Sequence, residues 1–353
     1  MEKSKGIWII SLVDPFSRYR RGMEAFTVNL YRSFKNILNV EVLFPAKTKI
    51  IRVIRIPLFN KINPSLFQIY IPIENENFWI YLLDIKASLL GLFFYKKIII
   101  GNHGFFKLDF ITFLIFIIAK ILIRIRSIDF RVHCINNYQK IFFTKILRFP
   151  KNRVFLIRNP IFSNEYLKPI KSKNFIVLFL GALNKQKGVD ILIDTIKKLY
   201  KKSEIKWIIA GLIDKRFIKE IVSLKKLKHV KYLGYVSEKK KRKLFQISSV
   251  FVLPSRFEAQ PIAVSEALIS GVPVILSNLY VLREIVKENN IFGVCLNKND
   301  SDNLSKEIIK YYRKFLKNPE RYYLMRVRIM REARKFFDIK KFKKDFLRML
   351  EDA

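Results

Sequence analysis

The sequence predicts an α/β protein made of two doubly wound parallel sheets with helices on both faces. Three observations carry this prediction. Short apolar runs alternate with segments of helical spacing through the second half of the chain. Nearly every such run closes on Gly or Pro, as strands of a buried parallel sheet do. The chain has 353 residues, half of them hydrophobic, enough for two cores rather than one.

The second half gives the alternation most plainly. Phe175 to Leu180 is a continuous apolar run, followed by Gly181 and a helical pattern from Val189 to Tyr200. Trp207 to Ala210 repeats the theme before Gly211, and Lys215 to Leu227 reads as a basic helix. Val230 to Leu233 is short and extended before Gly234, and Glu238 to Ile247 is helical. Val250 to Leu253 ends at Pro254, Ile262 to Ile269 is a helix stopped by Gly271, and Val272 to Leu276 is the next strand. Leu304 to Leu316 and Ile339 to Leu350 read as further helices.

The first half shows the theme more faintly. Ile7 to Val13, Val40 to Phe44, Ile98 to Gly101, Val132 to Ile135 and Val154 to Ile157 read as strands, and Glu24 to Phe34 as a helix. Ile50 to Asn77, rich in Pro, Ile and Asn, reads as irregular strands and loops. The lysines around Pro169 and Ser172 mark a boundary. Residues 1–168 are therefore expected as one domain, 169–335 as a second, and 336–353 as a helix returning to the first. Two such domains facing each other place ligands at the carboxyl ends of their strands.

Composition narrows the function. Lys plus Arg number 68 against 29 Asp plus Glu, a net charge of +39 that favours anionic partners. Many of these lysines are simply solvated surface. Cys134 and Cys295 lack metal-ligand spacing and form no disulfide framework, which fits a reducing, cytoplasmic setting. The apolar N-terminal run stops at Asp14-Pro15 without a small-residue cleavage site, so a strand is expected there, not a signal peptide. Phe110 to Ile125 is the one membrane-like stretch. Its uninterrupted apolar run stops at Lys120, short of the roughly 20 residues a spanning helix needs, and a basic end of Lys120, Arg124 and Arg126 follows. It fits either a buried helix or an amphipathic helix lying on anionic lipid.

The chemistry concentrates between Pro254 and Pro273. Glu258 sits on the loop after a buried strand, and Pro261 suits the first turn of the helix that follows. The backbone amides after Pro261, from Ile262 on, are free to face an anion, and Gln260, Pro261 and Ile262 are the donor-binding candidates at that helix start. Glu266 lies four residues after Ile262, on the same helical face. Two carboxylates flanking a phosphate-ready helix start suit a ligand with sugar hydroxyls and a diphosphate. Spacing alone equally allows an ordinary strand-helix unit with two glutamates.

This segment resembles the E-x7-E region of the family 4 retaining glycosyltransferases, which have the GT-B fold. The surroundings carry the match: Pro254-Ser255 before it, the Glu266-Ala267 pair, and Gly271-Val272-Pro273 after it. Gly181 to Asp190, containing Lys187-Gly188, resembles the family's glycine-rich diphosphate segment, except that Ala182 stands where an Arg is usual. Val230 to Val236 resembles the strand and turn beside the nucleotide base, and Arg20 to Glu24 resembles a Gly-Gly-x-Glu loop with Arg21 in place of the first Gly. Asn102-His103-Gly104 follows a buried strand where the family often places a His near the reacting sugar. Arg158-Asn159-Pro160 resembles the end of the family's first domain.

The resemblance implies two Rossmann-like domains around a central cleft and sugar transfer with retention. The donor is a nucleotide-diphosphate sugar, a co-substrate with no further cofactor. It assigns Glu258 to the donor sugar hydroxyls, Glu266 to the ribose, and Lys187 with Lys185 to the diphosphate. Tyr235 and Val236 fall to the base, Gly22 to close backbone approach, and His103 to the reacting centre. His133 and His229 read as structural. No metal is expected, because Asp300-Ser301-Asp302 precedes a helix and reads as its N-cap. The acceptor is expected to be a lipid-linked glycan or other membrane-surface glycoconjugate. The protein would then lie peripherally on the inner face of the cell membrane. The alternatives are a basic non-catalytic protein binding nucleic acid or membrane, an inactive relative, and a nucleotide-sugar epimerase on the same fold. No zinc spacing, helix-turn-helix or RNP-type motif supports nucleic acid.

Overall fold

The computed structural model describes residues 6–10, 22–43, 78–82, 97–101, 110–125, 127–201 and 204–351. The chain divides into two compact units, Met1–Pro160 with Ile339–Ala353, and Ile161–Asp338. The division falls upstream of the lysine-rich stretch around Pro169, because Ile161 and Tyr166 are already buried in the core of the second unit.

In the first unit the described strands are Gly6–Ile10 (β1), Asn39–Leu43 (β2), Phe78–Leu82 (β3), Lys97–Gly101 (β4), Asp129–Cys134 (β5) and Val154–Leu156 (β6). They pair in parallel in the order β2-β1-β3-β4-β5-β6. Strand β3 has no counterpart in the sequence reading. Its pairing on both sides, with β1 and β4, defines it. Helices Gly22–Phe34 (α1), Phe110–Ile125 (α2) and Asn137–Ile141 (α3) belong to this unit, the last continued by a π turn over Phe142–Ile146. The segments expected at Ile50–Asn77, Arg20–Arg21 and Asn102–Gly104 lie outside the described residues.

The C-terminal helix Ile339–Glu351 is part of the same unit. Phe342, Phe346 and Met349 join Ile7, Ile9, Phe34 and Tyr81 in one apolar cluster, with the Phe34 and Phe346 rings 5.1 Å apart. Within this cluster His133 is fully buried. Its Nε2 lies 2.7 Å from the Ile157 carbonyl, so that nitrogen carries the proton and Nδ1 accepts from the Tyr81 hydroxyl. Both nitrogens are satisfied by a neutral ring, and burial lowers the pKa to about 4.

The second unit holds strands Phe175–Leu180 (β7), Ile205–Ala210 (β8), Val230–Tyr232 (β9), Val250–Leu253 (β10), Val274–Leu276 (β11) and Gly293–Cys295 (β12). Their order is β12-β11-β10-β7-β8-β9, all parallel. Counted from β7, this is the 3-2-1-4-5-6 order of a Rossmann sheet. Helices Val189–Leu199 (α4), Ile218–Lys225 (α5), Glu238–Ile247 (α6), Ile262–Ile269 (α7) and Tyr280–Glu288 (α8) alternate with the strands. Ser301–Lys317 (α9) and Pro319–Phe336 (α10) follow β12. The basic helix expected over Lys215–Leu227 breaks into a 3-10 turn, Lys215–Phe217, and α5. The Asp214 side chain accepts from Arg216 N and starts that turn separately.

The core is the alternation made physical. Phe175, Val177, Phe179, Trp207, Ile209, Phe251 and Leu253 are essentially fully buried. Arg326 on α10 is also buried and meets backbone carbonyls at the carboxyl ends of two helices. It donates to Phe245 and Gln246 O at the end of α6 and to Gly271 O just after α7. A cation there offsets the partial negative charge of those helix ends. The same burial lowers the pKa of its guanidinium to about 10.

Candidate functional site

In the second sheet the chain runs outward in one direction from β7 and in the other from β10. Ligands of open parallel sheets bind at such a reversal, beyond the carboxyl ends of the two strands. The loops leaving β7 and β10 are residues 181–188 and 254–261, the two segments singled out by the sequence.

The loops are locked together. Gly188, the N-cap of α4, has φ +69, and a Cβ there would lie 2.0 Å from the Pro254 carbonyl oxygen. Only glycine allows both that backbone conformation and that approach. Arg256 N donates to Gln186 O at 2.8 Å. The Arg256 guanidinium bonds Lys185 O at 2.8 Å and grips both oxygens of Asp190, at 2.7 and 2.6 Å. Asn299 donates to Pro254 O and Ser255 O from the far side.

This frame presents Lys187 to Glu258. The Lys187 ammonium lies 2.6 Å from Glu258 Oε1, and Ser255 Oγ donates to the same oxygen at 2.7 Å. Glu258 is only 7% exposed, so its pairing with a cation matters more than a surface pair would. Lys185, by contrast, is exposed, and the loop uses its backbone carbonyl. Ala182 is exposed as well.

Helix α7 carries the second carboxylate. Pro261 sits at its N-cap, one position earlier than the sequence placed it, because its ψ of 110 is not helical. Its carbonyl accepts from Val264 N at 3.1 Å. Pro261 is buried, while Gln260 and Ile262 are half-buried. Glu266, one turn on, is 4% exposed. Its Oε1 accepts from the Tyr166 hydroxyl at 2.5 Å and lies 2.6 Å from the Lys241 ammonium on α6. Lys241 also pairs with Glu238 at 2.9 Å. Burial opposes the Lys241 charge, but the two glutamates outweigh it and raise its pKa. Burial, and then the nearby Glu266 carboxylate, raise the pKa of Tyr166 well above the ordinary tyrosine value.

The remaining candidates scatter. Tyr235 is half-buried and Val236 buried, in the turn between β9 and α6. Gly22 opens α1 in the first unit. His103 lies outside the described residues. Asp300 caps α9, accepting from Asn303 N at 2.8 Å, which holds its carboxyl below the usual range, and Asp302 pairs with Lys198. Ser255, Lys241, Tyr166 and the Arg256–Asp190 pair were not singled out beforehand. Ser255 lay within the quoted motif. Tyr166 is separated from Glu266 by 100 positions, and nothing in the chain announces that contact.

Two parallel α/β units, the second a Rossmann sheet with paired carboxylates and a lysine at its switch point, define the GT-B class of glycosyltransferase fold. Residues 165–335, nearly all of the second unit, match the family described as glycosyl transferases group 1. An uncharacterized glycosyltransferase of Methanocaldococcus jannaschii is 31% identical over 132 residues, 37% of this chain and 34% of that protein. Alpha-monoglucosyldiacylglycerol synthase of Acholeplasma laidlawii is 27% identical over 154 residues, 43% of this chain and 37% of that protein. The chain thus spans well under half the length of these two relatives. The structure of Anabaena HepE in complex with UDP and glucose superposes with a TM-score of 0.70 over 99% of this chain and 100% of that one. At 16% identity that likeness speaks for the fold.

Proposed function

We propose that the protein is a glycosyltransferase that moves a sugar from a nucleoside-diphosphate sugar to a glycan acceptor. The observation that carries this reading is the Lys187–Glu258 pair, held at the switch point of the family-matched unit. Lys187 and the start of α7 receive the diphosphate, and their fixed positive charge stabilises it as it leaves. Glu258 receives hydroxyls of the donor sugar and Glu266 those of the ribose. The reaction proceeds with retention and without a metal ion. That HepE was solved with UDP supports a uridine donor as the first to try.

The acceptor reading is a lipid-linked or membrane-surface glycoconjugate, with the protein lying peripherally on the membrane. Among the described residues no helix is long and apolar enough to cross a membrane. Helix α2 instead exposes Ile117, Ile121 and Ile125 beside Lys120 and Arg124, an apolar stripe with basic neighbours. The excess of 68 basic over 29 acidic residues would draw such a face to anionic lipid.

The test is a thermal-shift screen of UDP-, GDP- and ADP-sugars, followed by assay of donor hydrolysis and transfer. At least one donor should raise the melting temperature and be turned over, in EDTA as in buffer. Proton NMR of the product should show the anomeric configuration of the donor. Failure of every donor to bind would overturn the reading. Strict dependence on Mg or Mn, or an inverted product, would overturn those parts of it.

A further inference from the structure

The two site carboxylates are built alike. Glu258 Oε1 carries an ammonium, from Lys187, and a hydroxyl, from Ser255. Glu266 Oε1 carries an ammonium, from Lys241, and a hydroxyl, from Tyr166. In each case Oε2 takes no partner among the described residues, and neither Oε2 is sealed from solvent. One oxygen anchors the carboxylate to the protein and the other is left over.

We infer that Lys241 and Tyr166 are positioning residues that make the site selective for ribonucleotides: by saturating Oε1 of Glu266 they aim Oε2 at the 2′ and 3′ hydroxyls of the nucleotide ribose. This rests on the donor-site reading above. The anchor comes from three separate parts of the chain. Tyr166 precedes β7, Lys241 lies on α6, and Glu266 lies on α7. Lys241 is itself fixed from behind by Glu238. The carboxylate is thereby held against rotation about its last bond.

The chemistry of the free oxygen fits a vicinal diol. An ionised carboxylate only accepts hydrogen bonds, and each oxygen has two lone-pair directions. With Oε1 filled, Oε2 has room for donors only, and a ribose diol offers two. A 2′-deoxy sugar offers one. Purely as a stabilising device the pair is a poor choice, because removing a lysine and a glutamate from water costs about as much as their attraction returns. A binding role for the oxygen left over gives the arrangement a use that packing does not.

The experiment uses the full chain and isothermal titration with UDP, GDP and ADP, each beside its 2′-deoxy counterpart, and with inorganic pyrophosphate. Wild type is expected to bind one ribonucleotide roughly tenfold more tightly than the deoxy form, the size of one hydrogen bond to a charged group. Lys241→Met and Tyr166→Phe should bring that ratio close to unity and leave pyrophosphate binding unchanged. Lys241→Arg, which keeps a donor and a charge, should retain it. If Lys241→Met fails to fold, Tyr166→Phe, which removes one oxygen, decides. Variants that keep the ratio overturn the inference, as do variants that weaken ribonucleotide, deoxynucleotide and pyrophosphate equally. A wild type that binds nucleotides without preferring ribose overturns it while the donor reading stands. A wild type that binds none of them overturns the donor reading first.

Discussion

The Lys187 ammonium lies 2.6 Å from Oε1 of Glu258, and the two residues come from different loops at the reversal of strand order. Each therefore neutralises the other. Under the proposed donor binding, a diphosphate arriving at Lys187 would compete with Glu258 for the ammonium, and a sugar arriving at Glu258 would compete with Lys187 for the carboxylate. A donor carrying both groups would then replace one internal contact with two external ones.

This exchange makes Glu258→Ala informative. Loss of the carboxylate should reduce transfer by roughly 10²–10³-fold, the scale of losing one transition-state contact. It also frees Lys187, so affinity for the nucleoside diphosphate alone should hold or rise. Steady-state kinetics and titration with UDP, run side by side, check both halves. A variant with full activity would remove Glu258 from the reaction.

Lys187→Ala should act in the opposite sense. Nucleoside diphosphate affinity should fall by roughly tenfold or more, and Glu258 is left almost buried without its cation. One-sided removal of a buried charge is costly, and with Lys187 partly exposed a loss of about 1–3 kcal/mol is expected. The double variant with Glu258→Ala should recover part of that stability. Urea unfolding of the four proteins closes the cycle, and strict additivity would show that the pair is not coupled.

Gly188→Ala tests the frame rather than the chemistry. The backbone is left-handed at φ +69, and the added Cβ would sit 2.0 Å from Pro254 O, far inside contact distance. The loop after β7 must move away from the loop after β10, at a cost of about 3 kcal/mol or more. A melting temperature lower by several degrees is expected, with loss of donor binding. Unchanged melting would mean that the two loops are not held as described.

Strands β7 to β11 and helices α4 to α7 were legible because nearly every apolar run there is punctuated by Gly or Pro, which end strands for local reasons, whereas Tyr280–Glu288 and Gly293–Cys295 went unread. Phe78–Leu82 was missed because its five apolar residues become a strand only through β1 and β4 on either side. Pro319–Phe336 was missed because its surface is heavily charged, although Asn318, which accepts from Arg321 N, and Pro319 behind it form a readable helix start. Glu258, Glu266 and Lys187 could be chosen from sequence because they lie in compact motifs. Their anchors differ. Ser255 is three residues from Glu258, whereas Lys241 and Tyr166 reach Glu266 only through the fold.

Acid should weaken the first unit through His133. Its pKa falls from 6.5 to about 4 on burial, so the folded protein binds fewer protons than the unfolded chain between those values. The resulting stability is fully present above pH 6.5 and is lost as pH falls towards 4, on the order of 3 kcal/mol in all. A charged ring would also need Nδ1 to donate where it now accepts from Tyr81. Urea midpoints of wild type and His133→Leu at pH 7 and pH 4.5 are the measurement. The variant should be weaker at pH 7 and show a shallower acid dependence, and equal slopes would dismiss this histidine as the acid-sensitive group.

The membrane reading turns on helix α2. Ile117, Ile121 and Ile125 are 43%, 51% and 75% exposed, and their spacing of four places them on one face. The opposite side is committed to the core, where Ala119 is buried and Leu122 and Ile123 pack against it. Exposed isoleucines on one face, with Arg124 alongside, suit insertion at a lipid headgroup boundary more than plain solvation. The protein should therefore sediment with phosphatidylglycerol vesicles at low salt and be released as salt screens the attraction. Ile121→Glu combined with Ile125→Glu removes two apolar anchors and sets two like charges against the lipid, so partitioning should drop at least tenfold. Binding of nucleoside diphosphate, which the proposed function places in the second unit, should be unchanged. Wild type that stays unbound at low salt, or a double variant that binds vesicles equally well, would exclude this face as the docking surface.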